Sequence, residues 1–450
     1  MMQKTSKTHP AHSLSAPPRF SGSAEQLPAG AAPRAHRPLH VVVVDEELPY
    51  PPVTGKRLRT FKLLIRLARR HRITYICHRN SDTSEARLAA MLFADHNIQS
   101  IMVDRTIPSK SGLRFYARLA GNLLSPLPYS VATHFSPQMQ LAVQSFAATQ
   151  SVDLWQCEWT PYAAMLQQLP RARRLVMAHN VESMIWQRYH EHESNPLRRW
   201  YIKKQWQKFQ QFERRAFLDA HAIVAVSPED AELIAKQVET ARVEVVDNGV
   251  DTSYFRPQAD RREAAHVLFL GSLDWRPNLD AVRLLLDRIF PRVLRDIPSA
   301  KLFIVGRNPP LWLRRRISGR MGVELHADVP DVRPYLAQSG VLVVPLRIGG
   351  GSRLKILEAG ACGLPVVSTR VGAEGLSLEP GIHLTVVDDV NDMAAALVSA
   401  IGCPGPGLAM ARSARNRILE CYDWDVLANR LEQVWLNTAQ PHARKNGQTV

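Results

Sequence analysis

The sequence predicts an α/β protein made of two doubly wound, parallel-sheet domains. Three observations carry that expectation. From residue 39 onward, short runs of β-branched residues alternate with longer helical patterns. The alternation breaks once, at Asp247-Asn248-Gly249-Val250-Asp251 and the polar stretch from Arg256-Pro257 to about Ala264, and then starts again. Finally, 450 residues exceed what one core organises and suit two domains of ~150–200 residues plus tails.

Residues 1–38 are rich in Ser, Pro, Ala and Gly without periodicity, and read as a disordered tail. Order begins at Leu39-His40-Val41-Val42-Val43-Val44, a buried strand by length and branching. Further strands are expected near 73–78, 99–103, 153–157, 173–177, 222–226 and 242–246, giving a Rossmann-like domain over 39–255. The second set opens at Val267-Leu268-Phe269-Leu270-Gly271. It continues near 301–305, 322–325, 340–344, 364–368 and 383–387, for a second Rossmann-like domain over 256–422. A last helical pattern spans 423–437, and 438–450 reads as a polar tail. Two such domains on a short linker enclose a cleft, and the C-terminal ends of their strands face it.

Composition narrows the function. Hydrophobic residues at 45% and charged residues at 22% are those of a soluble globular chain. No run approaches ~18 apolar residues, and the N-terminus lacks a leader-like apolar stretch. The five cysteines, Cys77, Cys157, Cys362, Cys403 and Cys421, are scattered and form no CxxC, which fits a reducing cytoplasm without a zinc or disulfide framework. The net charge of +16 implies an anionic partner: nucleic acid, acidic lipid or a phosphorylated substrate. Lys4, Lys7, Arg19, Arg34 and Arg37 against Glu25 supply little of it, so the excess belongs to the folded part.

One stretch points to the partner's chemistry. Gly349-Gly350-Gly351-Ser352-Arg353-Leu354-Lys355-Ile356-Leu357-Glu358-Ala359 follows one strand pattern and precedes another. A glycine loop opening a helix leaves backbone N–H groups free for an anion, and the helix dipole favours one there. Arg353 and Lys355 add cations, and Glu358 one turn on can accept from vicinal hydroxyls such as a ribose. Phosphate plus ribose means a nucleotide or a nucleotide-activated group. An ordinary strand–loop–helix with a solvated basic start is the alternative.

Four further features need weighing. Pro51-Pro52-Val53-Thr54-Gly55 occupies the first strand–helix loop, where a glycine permits close approach of backbone to phosphate or hydroxyl. Lys56 suggests a P-loop, but Tyr50 and Arg57 stand where that motif needs Gly and Ser or Thr. Asp423-Trp424-Asp425 is formally a DxD metal motif, yet it opens a helix, where Asp is a common N-cap. Residues 197–217 and 109–129 combine cations and aromatics at helical spacing, suited either to an anionic membrane surface or to interior packing.

The ordered motifs resemble the retaining glycosyltransferases of family four (group 1), of GT-B fold, over roughly residues 39–437. The resemblance rests on the Pro51–Gly55 loop, His179-Asn180-Val181-Glu182, Asp247–Asp251, Gly271-Ser272-Leu273-Asp274-Trp275, the Gly349–Glu358 loop and Gly372-Ala373-Glu374-Gly375-Leu376. It implies sugar transfer from a nucleotide diphosphate sugar with retention of anomeric configuration and without a metal or other cofactor. It also implies donor binding mainly in the second domain, acceptor binding mainly in the first, and a last helix crossing back. Residues assigned through it are His179, Lys355, Arg353 and Arg276 for catalysis, and Gly271, Gly349, Gly350, Gly351, Ser352 and Glu358 for donor binding. Thr54 and Gly55 form the acceptor or phosphate loop. His179 would hydrogen-bond a donor hydroxyl or assist acceptor deprotonation; Glu182 is either a site residue or a helix cap. Gly350 replaces the first acid of the family's E-x7-E motif, and Ser272 stands where many relatives have arginine, with Arg276 and Arg353 as replacements. The expected role is cell-surface or exopolysaccharide assembly on a lipid-linked or polysaccharide acceptor, in the cytoplasm at the inner face of the membrane. The alternatives are a sugar-nucleotide epimerase and a non-catalytic, nucleotide-sugar-binding partner subunit; nucleic-acid binding would explain the charge but not the motifs.

Overall fold

The computed structural model describes residues 37–440, apart from 53, 81, 106–110, 170–171, 240, 259–261 and 349–352. Most of the two expected tails, and the glycine run Gly349-Gly350-Gly351-Ser352, lie outside the described residues.

The first seven strands are β1 (His40–Asp45), β2 (Arg72–His78), β3 (Ile98–Val103), β4 (Leu154–Cys157), β5 (Arg174–Ala178), β6 (Ala222–Ala225) and β7 (Val243–Val245). They form one sheet in the order β3-β2-β1-β4-β5-β6-β7, with every neighbouring pair parallel. The next six are β8 (Glu263–Leu270), β9 (Lys301–Gly306), β10 (Val323–Ala327), β11 (Ser339–Val344), β12 (Val366–Ser368) and β13 (Thr385–Val386). They form a second parallel sheet, β10-β9-β8-β11-β12-β13. Parallel strands covered by helices on both faces need apolar side chains on both faces. Val41, Val42, Val43 and Val44 meet that demand in the first sheet, and Val341, Leu342, Val343 and Val344 in the second; all eight are fully buried. In each sheet the order reverses beside the first strand of the set, opening a crevice at the strand C-termini.

The last helix, Trp424–Ala439, does not stay with the second sheet. Trp424, Leu427, Leu431 and Trp435 join the core around β1 and β4. Arg66 on the first helix (Gly55–Leu67) pairs with Asp425 at 2.7 Å, and the Trp435 indole N–H donates to Gln156 Oε1 at 2.7 Å. Asp423 caps this helix by accepting from the Asp425 N–H, which accounts for the Asp-Trp-Asp sequence as a helix start. The chain leaving the first sheet passes tightly beneath it. A Cβ on Gly249 would lie 2.6 Å from Leu427 Cδ1 and 2.7 Å from the Tyr422 carbonyl oxygen, so only glycine fits.

Candidate active site

A cleft of about 560 Å³ opens between the two sheets. Gly55, Lys56, His179, Asn180 and Asp247 line it from the first lobe; Trp275, Arg353, Leu357, Glu374 and Gly375 line it from the second.

On the first-lobe side the strand ends carry buried charges that engage one another. Asp45, at the end of β1, receives Lys56 Nζ at 2.5 Å and the Tyr75 hydroxyl at 2.6 Å. Burial pushes the Asp45 carboxyl up, while Lys56 pulls it back; the same partnership holds the Lys56 ammonium above its ordinary value against burial. His179 directly follows β5, and its Nε2 sits 3.1 Å from Glu158 Oε1. Glu158 also accepts from the Thr60 hydroxyl at 2.6 Å and from Gln156 Nε2 at 2.6 Å. Burial works to raise the Glu158 carboxyl, yet the bonds from His179, Thr60 and Gln156 bring it below its usual value. Arg59, fully buried beneath them, donates to the Asp247 carbonyl.

Glu182 opens the helix that follows His179, and its carboxylate accepts from the Trp159 indole at 2.9 Å rather than capping. The cap comes from elsewhere. Glu213 on the long helix Pro196–Leu218 accepts from the Glu182 and Ser183 N–H groups at 2.6 and 2.9 Å, and burial pushes its carboxyl up to about 7. Thr54 caps the first helix by accepting from the Arg57 N–H, and Gly55 follows it as the first helical residue.

The second-lobe side is built on the helix Leu354–Ala361. Arg353, just before it, is almost fully buried; its guanidinium donates to the Val371 carbonyl at 2.7 Å and lies 3.5 Å from Glu374. Lys355 Nζ donates to Asn278 Oδ1 at 3.1 Å and lies 4.9 Å from the centre of the Phe269 ring. Burial, with the Arg353 charge beside it, pushes the Lys355 ammonium down to about 7. Glu358, one turn on, is pushed up to about 7 by burial, with Lys355 opposing. Among the described residues no donor meets its carboxylate. The glycine after β8 has a packing reason: a Cβ on Gly271 would lie 2.8 Å from the Asn278 amide.

Of the described residues singled out from the sequence, Gly55, His179 and Arg353 line the cleft, while Thr54, Gly271, Arg276, Lys355 and Glu358 do not; Lys355 and Glu358 sit on the helix whose Leu357 does. Arg276 begins the helix after Trp275 and is exposed, off the cleft lining and without a polar partner among the described residues. The side chain that covers Ser272 is instead Arg307, whose Nε donates to the Ser272 hydroxyl at 3.0 Å. Asn278 joins the Ser272 carbonyl, 2.9 Å from its Nδ2, to Lys355. Glu158, Gln156, Asn278 and Arg307 carried no motif in the sequence. The one signal available was polar residues inside otherwise apolar patterns.

Comparison with known proteins agrees with this arrangement. Residues 60–254 match the model described as Glycosyltransferase Family 4, and residues 264–402 match Glycosyl transferases group 1. A GDP-mannose-dependent alpha-(1-6)-phosphatidylinositol monomannoside mannosyltransferase of Mycolicibacterium smegmatis is 29% identical over 43% of this chain and 56% of its own. The D-inositol 3-phosphate glycosyltransferase of Mycolicibacterium paratuberculosis is 29% identical over 45% of this chain and 49% of its own. The chain thus spans about half the length of the curated relatives it matches. Among solved structures, Anabaena HepE in complex with UDP superposes with TM-score 0.63 at 14% identity, over 89% of this chain and all of that one. Sucrose-phosphate synthase from Thermosynechococcus elongatus does so with TM-score 0.61 at 17% identity, over 89% and 98%. The chain therefore carries, in order, the two domains of the family-four, group 1 glycosyltransferases, set on the GT-B fold.

Proposed function

We propose that the cleft binds a nucleotide diphosphate sugar and transfers the sugar, with retention and without a metal, to a lipid-linked or polysaccharide acceptor in cell-surface polysaccharide assembly. The observation that carries this reading is Lys355 with Glu358 one turn on, at the start of a helix bordering a cleft whose far wall presents His179. Loss of a nucleoside diphosphate develops negative charge, so the site needs cations and N–H groups aimed at the phosphates. Lys355 and the helix start supply them, and Glu358 accepts from the ribose hydroxyls. Relatives named as GDP-mannose-dependent, and the neighbour that holds UDP, support a nucleotide-activated donor.

The acceptor side has its own support. No single described helix is long and apolar enough to cross a membrane. The C-terminal end of the helix Leu113–Asn122 meets the middle of Pro196–Leu218: Gln205 Nε2 donates to Asn122 Oδ1 at 2.9 Å, and Phe115 meets Tyr129, whose N–H donates to Gln205. Leu113, Tyr116, Leu124, Leu197 and Trp200 are exposed there beside Arg114, Arg198, Arg199, Lys203 and Lys204. Apolar side chains ringed by cations suit the headgroup layer of an anionic bilayer. The enzyme then works peripherally, where a lipid-linked acceptor resides.

The test is transfer of label from UDP-, GDP- and ADP-sugars into a membrane extract, with and without EDTA. Label in the lipid or polymer fraction, unaffected by EDTA, supports the reading. Conversion of the donor sugar with no acceptor present would favour an epimerase, and no turnover at all a non-catalytic binding partner. Sedimentation with anionic but not neutral vesicles checks the membrane face.

A further inference from the structure

Glu158 belongs to no motif, yet both of its carboxylate oxygens are engaged in one hydrogen-bond chain. The chain begins 279 positions away from Gln156, on the last helix. The Trp435 indole N–H can only donate, so the Gln156 amide turns its Oε1 toward it, at 2.7 Å. The amide NH2 group is thereby fixed toward Glu158 Oε2, at 2.6 Å. Glu158 Oε1 takes the Thr60 hydroxyl at 2.6 Å and His179 Nε2 at 3.1 Å. The carboxylate is almost fully buried, with the Arg59 guanidinium beside it and Asp45 as a nearby like charge. The bonds from His179, Thr60 and Gln156 outweigh burial and keep it ionised, its carboxyl below the usual value. An ionised carboxylate has no proton to give, so the proton of the Glu158–His179 bond belongs to the imidazole.

From this geometry we infer that Glu158 is a positioning residue: it holds His179 in the Nε2–H form, and the ring presents its Nδ1 lone pair to a substrate hydroxyl in the cleft. The inference rests on the proposed transferase reading only for what the hydroxyl belongs to. His179 lines the cleft, and among the described residues its Nδ1 has no hydrogen-bond partner. In that form the ring accepts a hydrogen bond from the cleft side at Nδ1 and donates none there. It can therefore steady a donor-sugar hydroxyl or take up part of an acceptor hydroxyl's proton. Trp435 and Gln156 extend the device to the last helix, whose indole sets the amide that sets the carboxylate.

The experiment is ¹⁵N-edited NMR of the histidine rings in the full-length protein, with a His179→Gln variant to assign the signal. The expected result is protonation of His179 at Nε2, with the lone-pair signature at Nδ1. Protonation at Nδ1 in the wild-type protein overturns the inference, and this reading needs neither substrate nor variant activity. Glu158→Gln can keep its amide oxygen toward the Gln156 NH2, which turns its own NH2 group toward Thr60 and His179 Nε2. It is expected to give a mixed tautomer signal and to lower kcat about tenfold or more, while nucleoside diphosphate affinity in the other lobe stays within about twofold. Trp435→Phe, which keeps the ring but removes the N–H, is expected to shift the tautomer in the same direction by less. Full transfer with an unchanged tautomer in Glu158→Gln also overturns the inference. Because the tautomer is read without turnover, its failure is separate from a failure of the transferase reading.

Discussion

The two walls of the cleft treat charge in opposite ways. In the first lobe Asp45, Lys56, Glu158 and His179 are each met by a protein partner, at distances between 2.5 and 3.1 Å. In the second lobe Lys355 has one amide oxygen and an aromatic face, and the Glu358 carboxylate has no donor among the described residues. Burial outweighs the attraction between the two and pushes both groups to about 7, a lysine far down and a glutamate far up. A buried charge that is fully paired leaves a costly orphan when one partner is removed. One left short of partners is costly in the empty protein and gains when a complementary ligand arrives. The first wall thus holds its charges with protein partners, while the second leaves a carboxylate that the proposed nucleotide would meet.

Substitutions should separate these two roles. The largest stability effect is expected for Asp45→Asn, which strands Lys56 and removes an acceptor of Tyr75. Breaking such a pair costs roughly 3 kcal/mol or more, to be read as a lower denaturant midpoint at unchanged slope. Lys355→Met should do the reverse. Its stability should hold or rise, while transfer falls on the order of a hundredfold, because one charge-assisted bond of roughly 1.5–3 kcal/mol to the leaving diphosphate is gone. If Lys355→Met unfolds the protein and Asp45→Asn leaves stability intact, the contrast between the walls collapses.

Two smaller effects sharpen it. A bound diphosphate favours the charged Lys355, whose ammonium is held near 7 in the empty site. Binding near pH 7.5 should therefore take up a fraction of a proton, seen as a dependence of calorimetric heat on buffer ionisation enthalpy. Heats independent of buffer would show that no titrating group meets the phosphates. In the first lobe, Glu213 is raised to about 7 in the folded state. A raised carboxyl gives stability that is fully present below its ordinary value near 4.5 and is lost as pH rises through 7. Melting temperatures of Glu213→Gln should depend less steeply on pH between 4.5 and 7 than those of the parent protein.

Much of the fold was legible in the sequence because parallel strands buried on both faces leave uninterrupted apolar runs. The run Val41–Val44 and the run Val341–Val344 mark the first strand of one sheet and a central strand of the other. Gly55, His179 and Arg353 could be singled out because strand ends and helix starts have local signatures. What remained hidden depends on contacts distant along the chain. Trp435 meets Gln156, Arg307 crosses to Ser272, and Asn278 reaches Lys355, and no window of sequence contains both partners. Arg276 shows the converse. Its place on the loop after Ser272 suggested it as the replacement for the arginine of many relatives, but it opens a helix there and is exposed.

The most direct test of the nucleotide site is calorimetric titration of the protein with UDP, GDP and ADP in the presence of EDTA, with Glu358→Ala and Lys355→Met alongside. The predicted result is micromolar binding of one diphosphate that survives EDTA and weakens about tenfold or more in each variant. Absence of binding by all three, or binding that both variants leave unchanged, would contradict a donor site on the Leu354–Ala361 helix.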